Sequence, residues 1–292
     1  MTIYNLGSIN ADHFYRLPNL PQPGETLFST HYFRGLGGKG TNMSVAAARA
    51  AARVIHIGAV GQDGAWAVET LMEYGVDTRY IAQGSITGHA NVFLDPSGEN
   101  AIVLHAGANH ELTENQIAEA LSLSSTGDIF LLQNETNMQT EAAKLASSLG
   151  LYVVYAAAPF DAQSVKGVLP YVNCLIMNEI EAQQLTQALG QELGALGPEL
   201  IVVTLGSKGS KTIEKATGKI THIDPIAVKA IDTTGAGDTY TGYFVSGLDR
   251  GFSVQHSARL ATQAAALMVT KEGTADVIPD LKDIEDYFGP NA

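Results

Sequence analysis

Short apolar segments of two kinds alternate along most of the chain, and this alternation restricts the fold more than any other feature. Runs typical of buried strands lie at 129–132, 152–155, 175–177 and 200–204, with helix-like runs at 114–123, 140–149 and up to Leu189 between them. Strands that alternate with helices form mostly parallel sheets that helices cover on both faces. The sequence therefore predicts an α/β fold with a mostly parallel sheet.

Two strand-like segments do not fit this alternation. Residues 25–33 form an aromatic strand-like run after a proline-rich stretch, and residues 91–104 form a hairpin pattern around a turn at 95–98. We expect segments at about 13–35 and 86–105 to form a small β-sheet lid, inserted in a single domain of residues 1–292. An exposed apolar face on such a sheet favours a homodimer.

Charge and composition argue against several classes of partner. The 292 residues contain 17 Lys and Arg against 30 Asp and Glu, a net charge of −13, so neither nucleic acid nor an anionic membrane is an expected partner. Cys174 is the only cysteine, which excludes an internal disulfide and fits a reducing compartment. No apolar run is long enough to span a membrane, and the first residues lack the basic segment of a signal peptide. We therefore expect a cytoplasmic location.

The stretch at 232–238 has the composition of an anion site beside a base. Gly235 and Gly237 leave backbone N–H groups uncovered just before the apolar run 240–248, which is typical of a buried helix. Uncovered N–H groups and the positive end of a helix dipole bind phosphate. Asp238 falls beside that site, where a carboxylate either caps the helix or takes a proton from an attacking hydroxyl. The residues alone leave both roles open.

Polar side chains follow the predicted strands, at the sheet edge where open parallel sheets bind ligands. They are Asn10, Asp12, Glu135, Asn178 and Thr204. Asn10 and Asp12 lie two residues apart, so in an extended chain they point the same way and suit a hydroxyl-rich ligand. A polar turn explains this pair at least as well.

The glycine loop at 35–40 matches the dinucleotide fingerprint G-x-G-x-x-G, but its setting does not. That fingerprint follows the first strand of a βαβ unit and precedes an acidic residue by about 20 positions, and neither condition holds here. The loop instead presents Lys39 ahead of a helix of small residues at 43–52, and Asn42 either caps this helix or faces a ligand. The sequence contains no P-loop, paired metal-ligand or nucleophile-elbow pattern.

Several ordered motifs resemble the ribokinase/PfkB family of carbohydrate kinases over nearly the whole chain. They lie at 7–12, 23–26, 37–42, 105–109, 178–181, 204–209 and 232–238. The resemblance implies a ribokinase-like fold and an enzyme that transfers a phosphoryl group from ATP, with Mg²⁺, to the primary hydroxyl of a sugar. It favours D-ribose as that sugar, giving D-ribose 5-phosphate, and a homodimer formed through the lid.

The same resemblance implies a role for each matching position. Asp238 would be the general base, and Gly235, Ala236 and Gly237 would form the anion hole. The sugar would be bound by Asn10, Asp12, Gly38, Lys39, Asn42, Glu135 and Asp238. The nucleotide would be bound by Asn178, Thr204, Gly206, Ser207, Gly209, Gly237 and Thr262. Asn178 and Glu181 would organise Mg²⁺ through water, and a monovalent cation, potassium, would be held by Asp232, Thr234, Met268, Lys271 and Gly273.

Three positions depart from the family pattern. Ala156 replaces a polar residue near the phosphates, Val277 stands where a hydroxyl residue completes the cation shell, and Thr262 occupies a position often held by Asn or His near the purine. Potassium activation and nucleotide preference therefore stay open. Two other functions also stay open. One is a nucleoside or other sugar kinase of this family, and the other is a sugar-binding protein without turnover, which an intact Asp238 disfavours.

Overall fold

In the computed structural model, which describes residues 1–289, the strands form two separate β-sheets. The strands are β1 (Ile3–Leu6), β2 (Asn10–Arg16), β3 (His31–Gly37), β4 (Val54–Val60), β5 (Asp77–Gln83), β6 (Gly88–Leu94), β7 (Asn100–His105), β8 (Ile129–Gln133), β9 (Tyr152–Ala156), β10 (Cys174–Asn178), β11 (Leu200–Thr204), β12 (Ser210–Glu214) and β13 (Lys219–Ile223). The helices are α1 (Lys39–Arg49), α2 (Ala65–Glu73), α3 (Glu114–Leu121), α4 (Gln139–Ser148), α5 (Ala162–Val168), α6 (Glu179–Leu189), α7 (Ala236–Asp249), α8 (Val254–Met268) and α9 (Leu281–Phe288).

The larger sheet has nine strands in the order β13-β12-β11-β10-β9-β8-β1-β4-β5. All pairs from β5 to β11 are parallel, and only β12 and β13 pair antiparallel. Successive residues of a strand face opposite sides, so Ile3 packs in a core with α1, α7 and α8, whereas Tyr4 packs in a second core with α3, α4 and α6. This confirms the predicted mostly parallel sheet with helices on both faces.

The smaller sheet has four strands in the order β3-β2-β6-β7. Strands β2 and β6 pair in parallel, and each forms an antiparallel pair with its other neighbour. A small sheet outside the main layer is therefore confirmed, with two boundaries changed. Strand β3 begins only at His31, so residues 25–30 are not a strand, and β2 begins already at Asn10. Asn10 and Asp12 thus lie in the smaller sheet, on one face of an extended strand, and do not form a polar turn.

The order of strands in the larger sheet reverses between the neighbouring strands β1 and β8. From β1 the strand order continues through β4 and β5, and from β8 it continues the opposite way to β11. The crevice beyond the carboxyl ends of two such strands is where open α/β sheets bind ligands. Within residues 1–289, no helix has both the length and the apolar composition needed to cross a membrane.

Candidate active site

Asp238 lies in the first turn of α7, and its carboxylate bonds to a different helix. The helix is capped by Gly235, whose φ of 77° suits glycine, and no side chain caps it. Asn42 Nδ2 donates to Asp238 Oδ2 at 2.9 Å, and Lys39 Nζ lies 3.9 Å from Asp238 Oδ1. Asp238 therefore does not cap α7. Asn42 does not cap α1 either, because the residue at that cap is Gly38.

The surroundings of Asp238 have opposing effects on its pKa. Its carboxyl is only 5% exposed, and this burial raises its pKa, while Lys39 and the hydrogen bond from Asn42 lower it. Asp238 in turn raises the pKa of Lys39, an effect that burial opposes and that Glu135 and Glu181 strengthen. A buried carboxylate whose charge is balanced by one ammonium group is suited to accept a proton when substrate excludes water.

Glu135 follows β8 and is held at the first turn of α1. Its Oε2 accepts hydrogen bonds from the Ser8 hydroxyl at 2.5 Å and from the Lys39 backbone N–H at 3.0 Å. A carboxylate at the N-terminus of a helix is favoured by the helix dipole. Ser8, which follows β1, was not predicted as a site residue, although it lies inside the motif at 7–12. The crevice between β1 and β8 therefore carries a fixed negative charge.

Asp12 faces this crevice from the smaller sheet. A Cβ on Gly37 would lie 1.9 Å from Asp12 Oδ2, so the close approach of these strands requires glycine there. Burial, together with the charge of Glu135, raises the pKa of Asp12 to about 7. Its Oδ1 is buried and has no hydrogen-bond partner within residues 1–289. An orphaned buried oxygen indicates a place for a ligand donor, such as a sugar hydroxyl.

Asn10 is oriented by a second asparagine that sequence reasoning did not single out as a site residue. Asn109 Nδ2 donates to Asn10 Oδ1 at 2.8 Å, and Asn109 Oδ1 accepts the backbone N–H of Ile9 at 2.9 Å. The motif at 105–109 contains Asn109, which was the available signal. Gly38 lies close to the same strand, since a Cβ there would be 3.1 Å from the Asn10 nitrogen. These contacts leave the Asn10 amide nitrogen for a ligand.

The predicted anion hole has two glycine N–H groups available. The N–H groups of Gly235 and Gly237 have no acceptor within residues 1–289, whereas that of Ala236 donates to the Thr233 carbonyl at 3.2 Å. A Cβ on Gly237 would meet no atom within 4 Å, so this residue borders open space. The free N–H groups point from a helix N-terminus, where an anion is stabilised. The anion-hole roles of these three residues stay predictions, and the Ala236 N–H already has a backbone acceptor.

Asn178 and Glu181 form a capping box at the start of α6. Asn178 Oδ1 accepts the Glu181 N–H at 2.9 Å, and Glu181 Oε2 accepts the Asn178 N–H at 2.8 Å. Burial raises the pKa of Glu181, and the hydrogen bond from the Asn178 N–H and the charge of Lys39 lower it. Its Oε1 makes no hydrogen bond in the described part of the chain, so it fits a hydrated Mg²⁺. Residues 1–289 contain no group of three or more His, Cys, Asp or Glu side chains able to hold a metal ion.

The residues predicted to bind the nucleotide fall into two groups. Thr204 pairs with Asn178 at the ends of β11 and β10 and continues into the exposed turn that contains Gly206 and Ser207. Gly209 closes this turn with a φ of 88°, and a Cβ there would lie 2.1 Å from the Ile223 carbonyl oxygen. The second group is Thr262 alone, which lies in α8.

Thr262 is buried within α8 and its hydroxyl donates to the Ala258 carbonyl at 2.8 Å. The structure therefore does not offer the Thr262 hydroxyl proton to a purine, because this proton is used within its own helix. The role of Thr262 in nucleotide binding stays a prediction, as do those of Thr204, Gly206, Ser207 and Gly209.

The loop after α8 folds back against the residues before the anion hole. Asp232 accepts hydrogen bonds from Thr234 N–H at 2.9 Å and from Gly273 N–H at 3.4 Å. Gly273 has a φ of 139°, and a Cβ there would lie 2.8 Å from an Asp276 carboxylate oxygen. Carboxylate and carbonyl oxygens suit a hard monovalent cation.

Two further positions decide whether this loop fits the cation, the predicted ligand Met268 and the departure at Val277. The Met268 carbonyl accepts the Lys271 N–H at 3.1 Å, which leaves its second lone pair for a ligand. Val277 supplies no side-chain oxygen, but the neighbouring Asp276 carboxylate accepts the Thr274 N–H at 3.0 Å. The donor set fits a monovalent cation, with Asp276 as an additional carboxylate that was not in the predicted set.

A buried carboxylate beside free N–H groups at a helix N-terminus, below a small sheet on a parallel α/β body, has the organisation of a phosphotransferase that acts on a hydroxyl. The sequence matches the pfkB family carbohydrate kinase description over residues 3–281. The chain therefore belongs to the pfkB family of carbohydrate kinases.

Individual relatives agree with this assignment. The chain is 36% identical to a ribokinase of Haemophilus influenzae, with 98% of each sequence covered. A ribokinase structure from Thermotoga maritima has a TM-score of 0.89 at 28% identity, covering 99% of this chain and 100% of that one. An Arabidopsis thaliana ribokinase structure, complexed with ribose and ATP, has a TM-score of 0.87 at 29% identity, covering 98% of this chain and 97% of that one. The chain is thus similar to ribokinases along its whole length.

Proposed function

We propose that this kinase phosphorylates the primary hydroxyl of D-ribose with ATP, giving D-ribose 5-phosphate and ADP. The observation that carries the proposal is the convergence of Asp238, Lys39 and Asn42 at one end of a crevice that Asp12 and Glu135 line. Carboxylate and amide groups of this kind bind a polyhydroxyl ligand. The similar Arabidopsis ribokinase was solved with ribose and ATP, which supports the choice of substrates.

The proposed chemistry follows from the position of Asp238. The sugar hydroxyl oxygen attacks the γ-phosphorus of ATP, the bond to the β–γ bridging oxygen breaks, and the hydroxyl proton passes to the Asp238 carboxylate. The N–H groups of Gly235 and Gly237 stabilise the charge on the transferring phosphoryl group. Lys39 lowers the pKa of Asp238 against the effect of burial, which favours the ionised form before transfer. A positioned base contributes about 10²–10⁴-fold in rate.

We infer that two cations assist this site. Asn178 and Glu181 would hold a hydrated Mg²⁺, which neutralises phosphate charge when bound. Asp232 and Asp276, with the carbonyls of the loop after α8, would hold potassium close to the anion hole. The remaining proposals are that the smaller sheet is a lid that closes over the sugar and excludes water, that it joins two copies of the chain, and that the enzyme is cytoplasmic.

The substrate assignment is tested by measuring ADP release from Mg·ATP with ribose, 2-deoxyribose, arabinose, fructose, adenosine and uridine. The proposal predicts that kcat/KM is highest for ribose. A 28% identical deoxyribokinase of Salmonella typhi, with 100% of each sequence covered, makes 2-deoxyribose the competitor that matters most. Faster turnover of 2-deoxyribose or of a nucleoside would change the assigned substrate but not the assignment of the protein as a kinase. Thermal stabilisation by ribose without any turnover would instead support a sugar-binding protein.

A further inference from the structure

Three fully buried side chains form a hydrogen-bonded network beneath the active-site crevice. Asn5 Nδ2 donates to the Gly40 carbonyl and to Ser44 Oγ, both at 2.8 Å. Ser44 Oγ contacts His56 Nδ1 at 2.8 Å, and His56 Nε2 contacts the Gly7 carbonyl at 3.1 Å. These are the polar contacts of strands β1 and β4 with α1, and none of the three side chains reaches solvent. We refer to Asn5, Ser44 and His56 as the buried network.

The acceptors in the network fix the position of every proton. The Gly7 carbonyl can only accept, so His56 Nε2 carries a proton and donates it. His56 Nδ1 then accepts from the Ser44 hydroxyl, whose oxygen accepts from Asn5. This arrangement requires a neutral imidazole, and burial agrees, because it lowers the pKa of His56 to about 4. Asn5 Oδ1 accepts from Gln133 Nε2 at 2.6 Å, so each side-chain polar atom of Asn5, Ser44 and His56 has a partner in one proton arrangement, which makes these three side chains rigid.

The two carbonyls held by the network belong to backbone segments that touch each other. A Cβ on Gly40 would lie 2.4 Å from the Ser8 nitrogen, so the turn after β1 and the start of α1 are in direct contact. Above this contact, the Ser8 hydroxyl and the Lys39 N–H hold the Glu135 carboxylate. The side chains of Lys39 and Asn42 leave the same helical turn toward Asp238. The network thus supports the backbone from which Lys39 and Asn42 project and to which Glu135 is hydrogen-bonded.

We propose that Asn5, Ser44 and His56 are positioning residues for sugar binding, because they fix the first turn of α1 against the turn after β1. This inference rests on the proposed sugar site, but not on which sugar it binds. Positioning shells of this kind hold site residues to within a fraction of an ångström. Within residues 1–289, neither the capping box at 178–181 nor the turn at 204–209 forms a hydrogen bond with the network, so we expect KM for ATP to be unaffected.

The test compares His56→Met with His56→Gln. Methionine is apolar and leaves the Gly7 carbonyl unpaired, whereas the glutamine amide still offers one donor and one acceptor. We expect His56→Met to raise KM for the sugar about fivefold, equal to about 1 kcal/mol, with KM for ATP unchanged. His56→Gln is expected to restore most of the sugar affinity. Both are measured with the sugar that the wild type turns over fastest, so a different substrate does not affect the comparison.

Ser246→Ala is the matched control. Ser246 Oγ donates to the Ala50 carbonyl at 2.9 Å, so this fully buried bond ties α7 to the opposite end of α1. The control is expected to lower stability and leave both KM values unchanged. A purely structural role for His56 would lower the active fraction, and so kcat, without changing KM for the sugar, and that result would overturn the proposal. If His56→Met does not fold, Ser44→Ala is measured in its place, with the same expectation.

Nuclear magnetic resonance of the histidine ring nitrogens tests the network without reference to any substrate. His56 is expected to remain the neutral Nε2–H tautomer from about pH 5.5 to about pH 8.5, a range in which an ordinary histidine titrates. A His56 signal that titrates in this range, or that reports the other tautomer, would contradict the proton arrangement and the proposal with it.

Discussion

Asp238 depends on residues that are remote in sequence for its chemical character. Its hydrogen-bond partner Asn42 is 196 positions away, and Lys39 approaches from the same turn of α1. Without these two partners, burial would favour the protonated carboxyl, which cannot act as a base. Both partners therefore favour the ionised carboxylate, the form that can accept a proton.

Replacing Asp238 with asparagine removes the base and nearly preserves the shape of the side chain. We expect Asp238→Asn to lower kcat by about 10²–10⁴-fold while sugar binding persists, because the neighbouring sugar-site residues remain. Steady-state kinetics and calorimetric titration with the sugar measure the two effects. Asp249→Asn, at the other end of the same helix, serves as the control and should keep the wild-type kcat. Near-normal kcat in Asp238→Asn would exclude the assignment.

We expect Asp12 to make sugar affinity depend on pH near neutrality. With its pKa raised to about 7 by burial and by Glu135, a large fraction of Asp12 is protonated in the unliganded protein. Sugar hydroxyls donate to the ionised form, so affinity is expected to increase between about pH 6 and about pH 8, by at most about tenfold per unit. Asp12→Asn should flatten this dependence. An equally steep profile in the variant would assign the dependence to another group.

Asp12 also makes a contribution to stability with the opposite trend. Its folded pKa lies above the unfolded value of 3.8, so the folded protein holds this proton to higher pH than the unfolded chain does. The contribution is therefore present at low pH and is lost as the pH rises from about 4 to about 7. Thermal melts of the unliganded protein should show a smaller fall in Tm over this range for Asp12→Asn than for the wild type.

Gly235 and Gly237 are expected to respond differently to alanine. Gly237 is helical with open space at its Cβ position, so Gly237→Ala should leave Tm unchanged or raise it, since alanine is favoured by about 0.5–1 kcal/mol in helices. Its methyl group would occupy the space of the phosphoryl group, so kcat should fall at least about tenfold. Gly235→Ala meets Met268 and a φ of 77°, and should lower both Tm and kcat. Wild-type kcat in Gly237→Ala would place the phosphoryl group elsewhere.

At the scale of elements, the sequence was informative wherever a buried apolar run was continuous. Most of the parallel strands were predictable from such runs, whereas the hairpin of β6 and β7, whose second strand is mostly exposed, was predictable from the apolar residues on either side of the turn at 95–98. Strand β5 was missed because it is only half buried throughout and carries no such run. The hairpin of β12 and β13 was also missed, although two alternating segments around Thr217-Gly218 were a usable signal.

The site was predictable in its residue types but not in its contacts. Motifs indicated Lys39, Asn42 and Asp238. From the sequence, however, Asn42 and Asp238 could equally have capped their own helices, and the hydrogen bond between α1 and α7 shows that they bond to each other instead. The start of β2 at Asn10 was not predictable, because pairing with β6 rather than local propensity extends this strand. Contacts between elements that are distant in the sequence thus determined the strand boundary and the residue roles that the local sequence pattern left open.

We expect any potassium activation to depend on the loop after α8. Val277 removes the expected hydroxyl, but the Asp276 carboxylate approaches Gly273, and we expect it to replace that ligand. Potassium should therefore raise kcat/KM, and Asp276→Asn should reduce the activation by about fivefold or more. Asp286→Asn, on the exposed side of α9, is the control, and tetramethylammonium keeps the ionic strength constant. If potassium does not change kcat/KM of the wild type, Val277 has abolished the cation site.

At the scale of the whole molecule, the smaller sheet has one face that combines sugar-site and apolar residues. Directly paired residues share a face, so Asp12 and Phe14 lie on the same side as Phe33, Ile102 and Leu104. Phe14 and Phe33 stack at 4.5 Å, whereas Ile102 and Leu104 are 54% and 62% exposed. An apolar surface that continues from a binding site is typical of one that a partner covers.

The occupant we expect is the same face of a second copy, since residues at the edge of the sheet would then be buried on both chains at once. Sedimentation at micromolar concentration should give twice the mass of the chain, and the double variant Ile102→Asp with Leu104→Asp should sediment as a monomer. Ile220→Asp, at a site that is 56% exposed on the edge strand β13, is matched in exposure and should remain a dimer. Because Asp12 lies on the same face, the monomeric variant should also bind the sugar more weakly. The dimer would be excluded if the wild type is a monomer, or if the double variant and Ile220→Asp have the same mass in sedimentation. The role of this face would then be lid closure within one chain.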